Sequence, residues 1–265
     1  MIRLASWNLN SLKVRLPHLL DWLAVEKPDV IGLQELKLVD EKFPRDQIEA
    51  AGYDCYFAGQ PTYNGVAILT RQDTVQSVSD VVVNDPRLPD DQKRLIAATL
   101  TFKDGKSLRF VNGYMPNGSE VGSEKYRYKL AWFAALTERL REEIAQHPAL
   151  ALVGDFNIAP SDLDVHDPQA WHEKILCSTP EREAFQSLVD LGLTDSFRHH
   201  HPGLEKAFSW WDYRMAGFRR NLGLRIDHIL LTAPLLAQCN AAGIDKTPRA
   251  LEQPSDHAPV WANLI

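Results

Sequence analysis

Asp155 and Asn157 stand two residues apart, directly after the apolar run 149–153 and Gly154. Side chains alternate across a strand, so residues two apart project to the same side. A buried strand ending in this way aims a carboxylate and an amide at one point, a base beside a hydrogen-bonding group. Taken alone, the same residues equally suit a turn that closes a strand. Other strand-like runs end in comparable chemistry, at Asn8, Glu35, Tyr114, Asp227 and the pair Asp256-His257. A hard divalent cation such as Mg²⁺ takes oxygen ligands and keeps several waters, so Glu35 with Asn8 and Asp256 would suffice if those ends converge. Such a cation stabilises charge developing on a phosphoryl oxygen. An Asp beside a His, with a second Asp to orient the imidazole, suits proton handling or a phosphate contact. Each piece has a plainer reading: Glu35 as a solvated carboxylate, Tyr114 beside Pro116 as packing, Asp256-His257 as a capped turn. Periodicity does not show that the strand ends meet.

The elements that must position these residues are legible in the apolar pattern. Residues 2–6 read as a strand, and Leu16, Leu19, Leu20 and Leu23 as one face of a helix, with Pro17 in its first turn and Pro28 as its stop. Residues 29–33 read as the next strand, leading to Glu35, and 63–69 as a turn feeding another. The stretches 95–102 and 108–112 read as strands joined by a hairpin at 103–106. Tyr126, Leu130, Phe133, Leu136, Leu140 and Ile144 mark a long helix over 124–147, stopped by Pro148. A loop over 160–179, a helix carrying Phe185, Leu188 and Leu191, and strands at 225–231 and 260–264 complete the pattern. Strands outnumber helices, some paired as hairpins and others separated by helices. That mixture predicts an α/β protein with mixed sheets and helices packed outside. With no low-complexity linker and no repeat, residues 1–265 read as a single domain.

At 265 residues and 45% hydrophobic, the chain can bury a substantial core, and no apolar run is long enough to cross a membrane. Met1-Ile2-Arg3-Leu4 enters a strand pattern directly, so no signal peptide is expected. Cys55, Cys177 and Cys239 are widely spaced and unpaired in pattern, which points to buried thiols in a reducing compartment and not to zinc. The net charge of −6 argues weakly against a nucleic-acid partner. Carboxylates gathered at a metal site account for part of that charge, and Arg214, Arg219, Arg220 and Arg225 are candidates for a local positive stripe.

Seven stretches occur in an order that resembles the exonuclease III family of abasic-site endonucleases and 3′-exonucleases, which have the DNase I-like fold. They are WNLNS from Trp7, IGLQELK from Ile31, NGVAI from Asn64, YMPNG from Tyr114, GDFNIAP from Gly154, LRIDHIL from Leu224 and SDHAP from Ser255. The resemblance implies a four-layer α/β sandwich, two mixed sheets face to face with helices outside, and a site at one edge. It implies that Glu35 ligates Mg²⁺ or Mn²⁺, with Asn8, Asp256, Asp155, Asn157 and His257 at or beside the metal. It further implies that Asp155 orients or deprotonates the attacking water and Asn157 holds the phosphate. Asp227 would orient His257 against the scissile phosphate, Tyr114 would assist at the phosphate or leaving group, and Asn64 would contact substrate.

The segment FSWWDYR from Phe208 also resembles this family. Aromatics beside Arg suit a nucleic-acid groove, where a ring stacks on a base or fills the space of a missing one. Adjacent tryptophans on a strand face opposite ways, so one of the pair is packing; Trp210 is taken as the pocket residue, with Arg214 at the phosphates. Lys125, Arg127 and Lys129 are read as a solvated helix face in preference to phosphate contacts. Two features depart from the family's pattern. Met115 and Asn117 stand where Phe and Gln are common, and His166 stands in the loop 161–168 where smaller residues also occur. A bulky His166 would narrow the space for a displaced abasic sugar and favour 3′-end trimming over internal incision.

The expected protein is a metal-dependent DNA-repair phosphodiesterase, monomeric and cytoplasmic at the nucleoid. Its expected substrate is double-stranded DNA with abasic sites, nicks or recessed 3′ ends. Two other classes compete: a DNase I-like phosphodiesterase or phosphatase acting on a lipid or inositol phosphate head group, and a catalytically dead DNA-binding module.

Overall fold

Strand alternation sorts the apolar residues of β1 (Ile2–Asn8) into two sets: Ile2 and Leu4 turn to one core, Ala5 and Trp7 to another. The same division separates Val30 from Ile31 and Leu33 on β2 (Val30–Gln34). A strand apolar on both faces must be covered on both, so its sheet lies between two layers. The computed structural model, which describes residues 1–265, shows four such layers.

The first six-stranded sheet has the order β13-β14-β1-β2-β4-β3, with β3 at Tyr53–Ala58, β4 at Val66–Arg71, β13 at Cys239–Ile244 and β14 at Val260–Leu264. The second has the order β5-β6-β7-β8-β12-β9. Its strands are β5 (Val75–Val83), β6 (Leu95–Phe102), β7 (Ser107–Tyr114), β8 (Leu150–Asp155), β9 (Leu193–Asp195) and β12 (Asp227–Thr232). Both sheets are mixed: β1 with β2 and β7 with β8 run parallel, their other neighbours antiparallel. Between the sheets lies one core, in which Leu4, Val30 and Ile68 meet Phe110, Ala151 and Val153. Outside the first sheet pack α1 (Leu12–Glu26) and α2 (Arg45–Ala50), through Leu19, Leu23 and Ile48. Outside the second pack α3 (Glu124–Gln146) and α5 (Thr179–Val189), through Phe133, Leu136, Phe185 and Leu188. A two-stranded ribbon, β10 (Trp210–Trp211) with β11 (Gly223–Leu224), stands at the rim.

Several boundaries differ from the sequence pattern. The first helix begins at Leu12, because Ser11 and Leu12 donate their backbone N–H groups to the carbonyls of Glu35 and Leu36. Pro17 is therefore interior and not in the first turn, and the Lys13 carbonyl lacks its helical donor. The loop expected over 160–179 contains a 3-10 turn at Asp162–Asp164 and the short helix α4 (Pro168–Trp171). Leu191 lies beyond the end of α5.

The gap between the sheets is closely filled. Asn112 of β7 donates to the carbonyls of Leu33 and Ala67 at 2.9 and 2.8 Å, and accepts from Gln34 at 2.6 Å. A methyl group on Gly32 would come within 2.7 Å of the Asn112 side chain and 3.0 Å of Val153. Gly32→Ala is expected to cost about 1–3 kcal/mol through overpacking, read as a lowered urea midpoint; an unchanged midpoint would mean the gap is slack.

Candidate active site

The rows of residues that face the core between the sheets run on past it to one open end. On β1 the row is Ile2, Leu4, Ser6 and Asn8; on β7 it is Phe110, Asn112 and Tyr114. On β8 it is Ala151, Val153 and Asp155, and on β12 it is Leu231, Ile229 and Asp227. Alternation alone therefore delivers an amide, a phenol and two carboxylates to the same mouth. Register places Tyr114 and Asp227 on either side of Asp155. Gly154 makes that register attainable: it has φ +145, and a Cβ there would lie 1.9 Å from the Gly113 carbonyl oxygen. Glu35 and Asn157 sit just past their strands at φ +51 and +50, turning the chain away from the site.

Hydrogen bonds join the set. The Asn8 amide nitrogen donates to Glu35 Oε1 at 3.0 Å and to Asp155 Oδ2 at 2.9 Å. Asp155 Oδ1 accepts from the Asn157 backbone N–H at 2.9 Å. His257 Nδ1 lies 2.9 Å from Asp227 Oδ2, which also accepts from Ser209 Oγ at 2.6 Å. The other ring nitrogen, Nε2, lies 3.6 Å from Asp155 Oδ2. The Asn157 amide nitrogen donates to the Met115 carbonyl at 2.9 Å, and its oxygen accepts from Asn117 at 3.1 Å.

Burial pushes the Asp155 carboxyl up to about 7; the Asp227 and Glu35 charges add to this against His257. Burial alone would lower the His257 imidazole, but Asp227 and Asp155 outweigh it and raise it to about 10. Tyr114 is raised well above its ordinary value by burial and by the Glu35 and Asp155 charges, which keeps the phenol protonated. At neutral pH the site combines an imidazolium and a phenol as donors with Asp155 near its point of ionisation.

Glu35, Asp155 and His257 offer donor atoms that all lie within 4.8 Å of one another. Two carboxylate oxygens at that spacing fit a hard divalent cation, and the Asn8 NH₂ group already bridges them as a weaker positive pole. Asn8 turns its hydrogens to the carboxylates, while its oxygen accepts from the Asn10 backbone N–H at 2.9 Å. Asp256 stands farther along the rim, its oxygens taken by Asn10 and by the Trp210 indole N–H, each at 2.9 Å. From Asn10 the chain of contacts returns through Lys37, which lies 3.0 Å from Glu35 Oε2. Beside Tyr114 opens a cleft of about 640 Å³ lined by Tyr63, Asn64, Arg94, Asn117 and Lys125.

At the rim, Trp211 is in the core and Trp210 is half-buried with its N–H on Asp256, the division expected for adjacent strand residues. Arg214 is exposed but chelated by Asp212, at 2.6 Å through Nη2. Arg225 does not belong to a surface stripe: it is buried, 2.7 Å from both Asp164 and Asp195. Through Asp164 it anchors the segment that ends at His166, whose backbone and Nδ1 both lie 3.1 Å from the Gly223 carbonyl of β11.

Lys129, read as solvated, is fully buried. The sequence did carry the signal: Tyr126, Lys129, Phe133, Leu136 and Leu140 follow the spacing of one helical face. Ser209, Asn10, Lys37 and Arg94, whose guanidinium lies 4.9 Å from the Tyr114 ring centroid, also escaped sequence reasoning. Ser209, Asn10 and Lys37 lie inside the family motifs, but nothing in the motifs assigns them a partner; Arg94 lies outside every motif and meets Tyr114 from 20 residues away.

Comparison with known proteins agrees with this architecture. Residues 5–257 match the model of the Endonuclease/Exonuclease/phosphatase family. Exodeoxyribonuclease III of Haemophilus influenzae is 42% identical, over 99% of this chain and 100% of its own. A 3′ phosphatase from Neisseria, solved with a product DNA hairpin, superposes with a TM-score of 0.94 at 49% identity over the full length of both chains. An AP endonuclease from Archaeoglobus fulgidus gives 0.91 at 34% identity, covering 100% of this chain and 99% of its own. With that similarity along its whole length, this chain belongs to the Endonuclease/Exonuclease/phosphatase family, among the exodeoxyribonuclease III-type enzymes.

Proposed function

We propose that the protein is a divalent-metal-dependent DNA-repair phosphodiesterase that acts chiefly on blocked or damaged 3′ ends. The observation that carries the chemistry is geometric: Asp155 stands between the Asn8 amide at 2.9 Å and His257 Nε2 at 3.6 Å, and Asp227 holds that imidazole in place. Asp155 takes a proton from the attacking water as general base, and a bound cation beside it would keep the carboxyl ionised for that role. His257, kept charged, turns Nε2 toward a phosphate oxygen. One N–H of the Asn157 amide is committed to Met115, leaving the second for another phosphate oxygen. The protonated Tyr114 phenol donates toward the phosphate or the departing oxygen. Glu35 and Asp155, with His257 beside them, would hold the cation, Mg²⁺ or Mn²⁺ by their oxygen chemistry. When bound, it supplies Lewis-acid stabilisation of the phosphoryl charge.

The rim supports DNA as the substrate: the half-buried Trp210 bonds Asp256 and the exposed Tyr213 meets Asn10, and the segment that follows carries the exposed Met215, Arg219 and Arg220. The relatives named for 3′-phosphatase and exodeoxyribonuclease activity support the same reading. His166 supports the preference for 3′ ends. The loop that carries it is stitched to β11, the ribbon partner of Trp210, and on this reading the imidazole would narrow the room for an extruded sugar beside that tryptophan. Three free, buried cysteines fit a reducing compartment such as the cytoplasm, and no helix is long and apolar enough to cross a membrane.

Cleavage of a nicked duplex with a blocked 3′ end is expected with Mg²⁺ and not with EDTA; turnover in EDTA would overturn the metal requirement. His166→Gly should raise incision at an internal abasic site while leaving 3′-end removal in place, and an unchanged incision rate would discard the steric argument. A carboxyl whose folded pKa stands above its unfolded value favours folding only when protonated, so ionising Asp155 between about pH 4 and pH 7 costs stability. Metal-free Asp155→Asn should therefore melt above the wild type at pH 8, and the gap should close as pH falls toward 4. Mg²⁺ should raise the melting temperature of the wild type and leave that of the variant nearly unmoved.

A further inference from the structure

Lys129 lies on α3, outside the set of side chains that meet at the mouth, and its ammonium is completely shielded from water. Its three donors each find an acceptor. They are the Asn117 carbonyl at 3.1 Å, the Asn157 carbonyl at 2.6 Å and Glu181 Oε1 at 2.5 Å. The two carbonyls belong to the loops that follow Tyr114 and Asp155. The same two residues are joined through their side chains, Asn117 Nδ2 donating to Asn157 Oδ1 at 3.1 Å. Lys129, Asn117 and Asn157 thus form a closed ring that grips Asn157 by its backbone oxygen and its side-chain oxygen together.

The counter-ion is as fully committed. Glu181 Oε1 also accepts from the Leu176 backbone N–H, and Oε2 accepts from the N–H and the hydroxyl of Ser178 at the start of α5. A charge taken wholly out of water is costly unless partners satisfy it, and a methionine would fill the same space without that cost. An ammonium offers what an apolar side chain lacks, a strong bond to the carbonyl of a residue held at φ +50. Asparagine enters that left-handed region more readily than other non-glycine residues, and the bond fixes where its carbonyl points.

We propose that Lys129 is a positioning residue for the reaction, fixing the orientation of the Asn157 amide through the Lys129–Asn117–Asn157 ring, with Glu181 as its counter-ion. This rests on the phosphodiesterase reading above, in which Asn157 meets a phosphate oxygen. Because the amide acts at the reacting phosphate, loosening it lowers kcat far more than it raises KM.

The test is a double-mutant cycle on the 3′-blocked duplex. Lys129→Met with Glu181→Gln removes the pair together and leaves no unpaired charge. The double variant is expected to lose about tenfold to a hundredfold in kcat, with KM within about twofold. In an Asn157→Ala background the same pair of changes should cost little more, because the group they position is gone. Glu181→Gln alone removes the counter-ion and is expected to lower the melting temperature, but the Lys129 amine, even uncharged, still has two hydrogens for the two carbonyls and should retain most of kcat, a pattern that loss of folding alone does not produce. In ¹⁵N-labelled protein the Asn157 side-chain amide resonance should shift in the double variant and stay in place in Glu181→Gln. An equal loss of kcat in the Asn157→Ala background, a loss in Glu181→Gln matching that of the double variant, or an unmoved amide resonance would overturn the proposal. A wild type that cuts no DNA would sink the functional reading instead, and the resonance would still decide whether Lys129 orients the amide.

Discussion

Like charges brought together out of water govern the rest of this molecule. Asp155 and Asp227 face each other across adjacent antiparallel strands, Glu35 reaches the same space, and one imidazole and one amide stand among them. Carboxylates so arranged repel, and burial makes the repulsion stronger. Only a rigid frame holds them there, and two six-stranded sheets pressed face to face supply it. Burial, reinforced by this surplus of negative charge, is the reason Asp155 resists ionisation; the surplus itself is the reason His257 retains its proton and the attraction for a cation. Stability is given up locally so that three chemical properties arise from one placement.

How that placement arises is simple once the sheets are in view. The residues that line the inner core and the residues of the site belong to the same alternating rows, the first apolar and the last polar. The row on β8 runs Ala151, Val153, Asp155, a change of chemistry with no change of direction. A strand that leaves the packed gap and enters solvent needs only to swap side-chain type at its final step.

The parts of the fold that strong periodicity marks were the parts legible in the chain. β6, α3 and β14 match the apolar pattern to within a residue. Strands that alternate weakly were silent: β5 exposes most of its face and β13 is built from small and polar residues. Mixed sheets and outer helices followed from the pattern, whereas the four-layer arrangement and the joining of the seven motifs at one mouth came from family resemblance. Asn8 and Asp155 are 147 residues apart yet joined by a hydrogen bond, and no spacing rule reports such a pairing. Lys129 shows the opposite failure, a residue whose helical phase was plain but whose charge suggested the surface.

The buried Arg225 carries a consequence for how this scaffold can diversify. Its guanidinium bonds Asp164 on one side and Asp195 on the other, and the segment it secures runs on at once to His166. The mooring and the wall are thus separate residues two positions apart. The backbone at 166 is tethered by its own N–H to the Gly223 carbonyl whatever the side chain, and Arg225 ties the mooring back to β12 through His228 at 3.0 Å. On the role proposed for His166, a single substitution there would retune substrate preference without refolding anything.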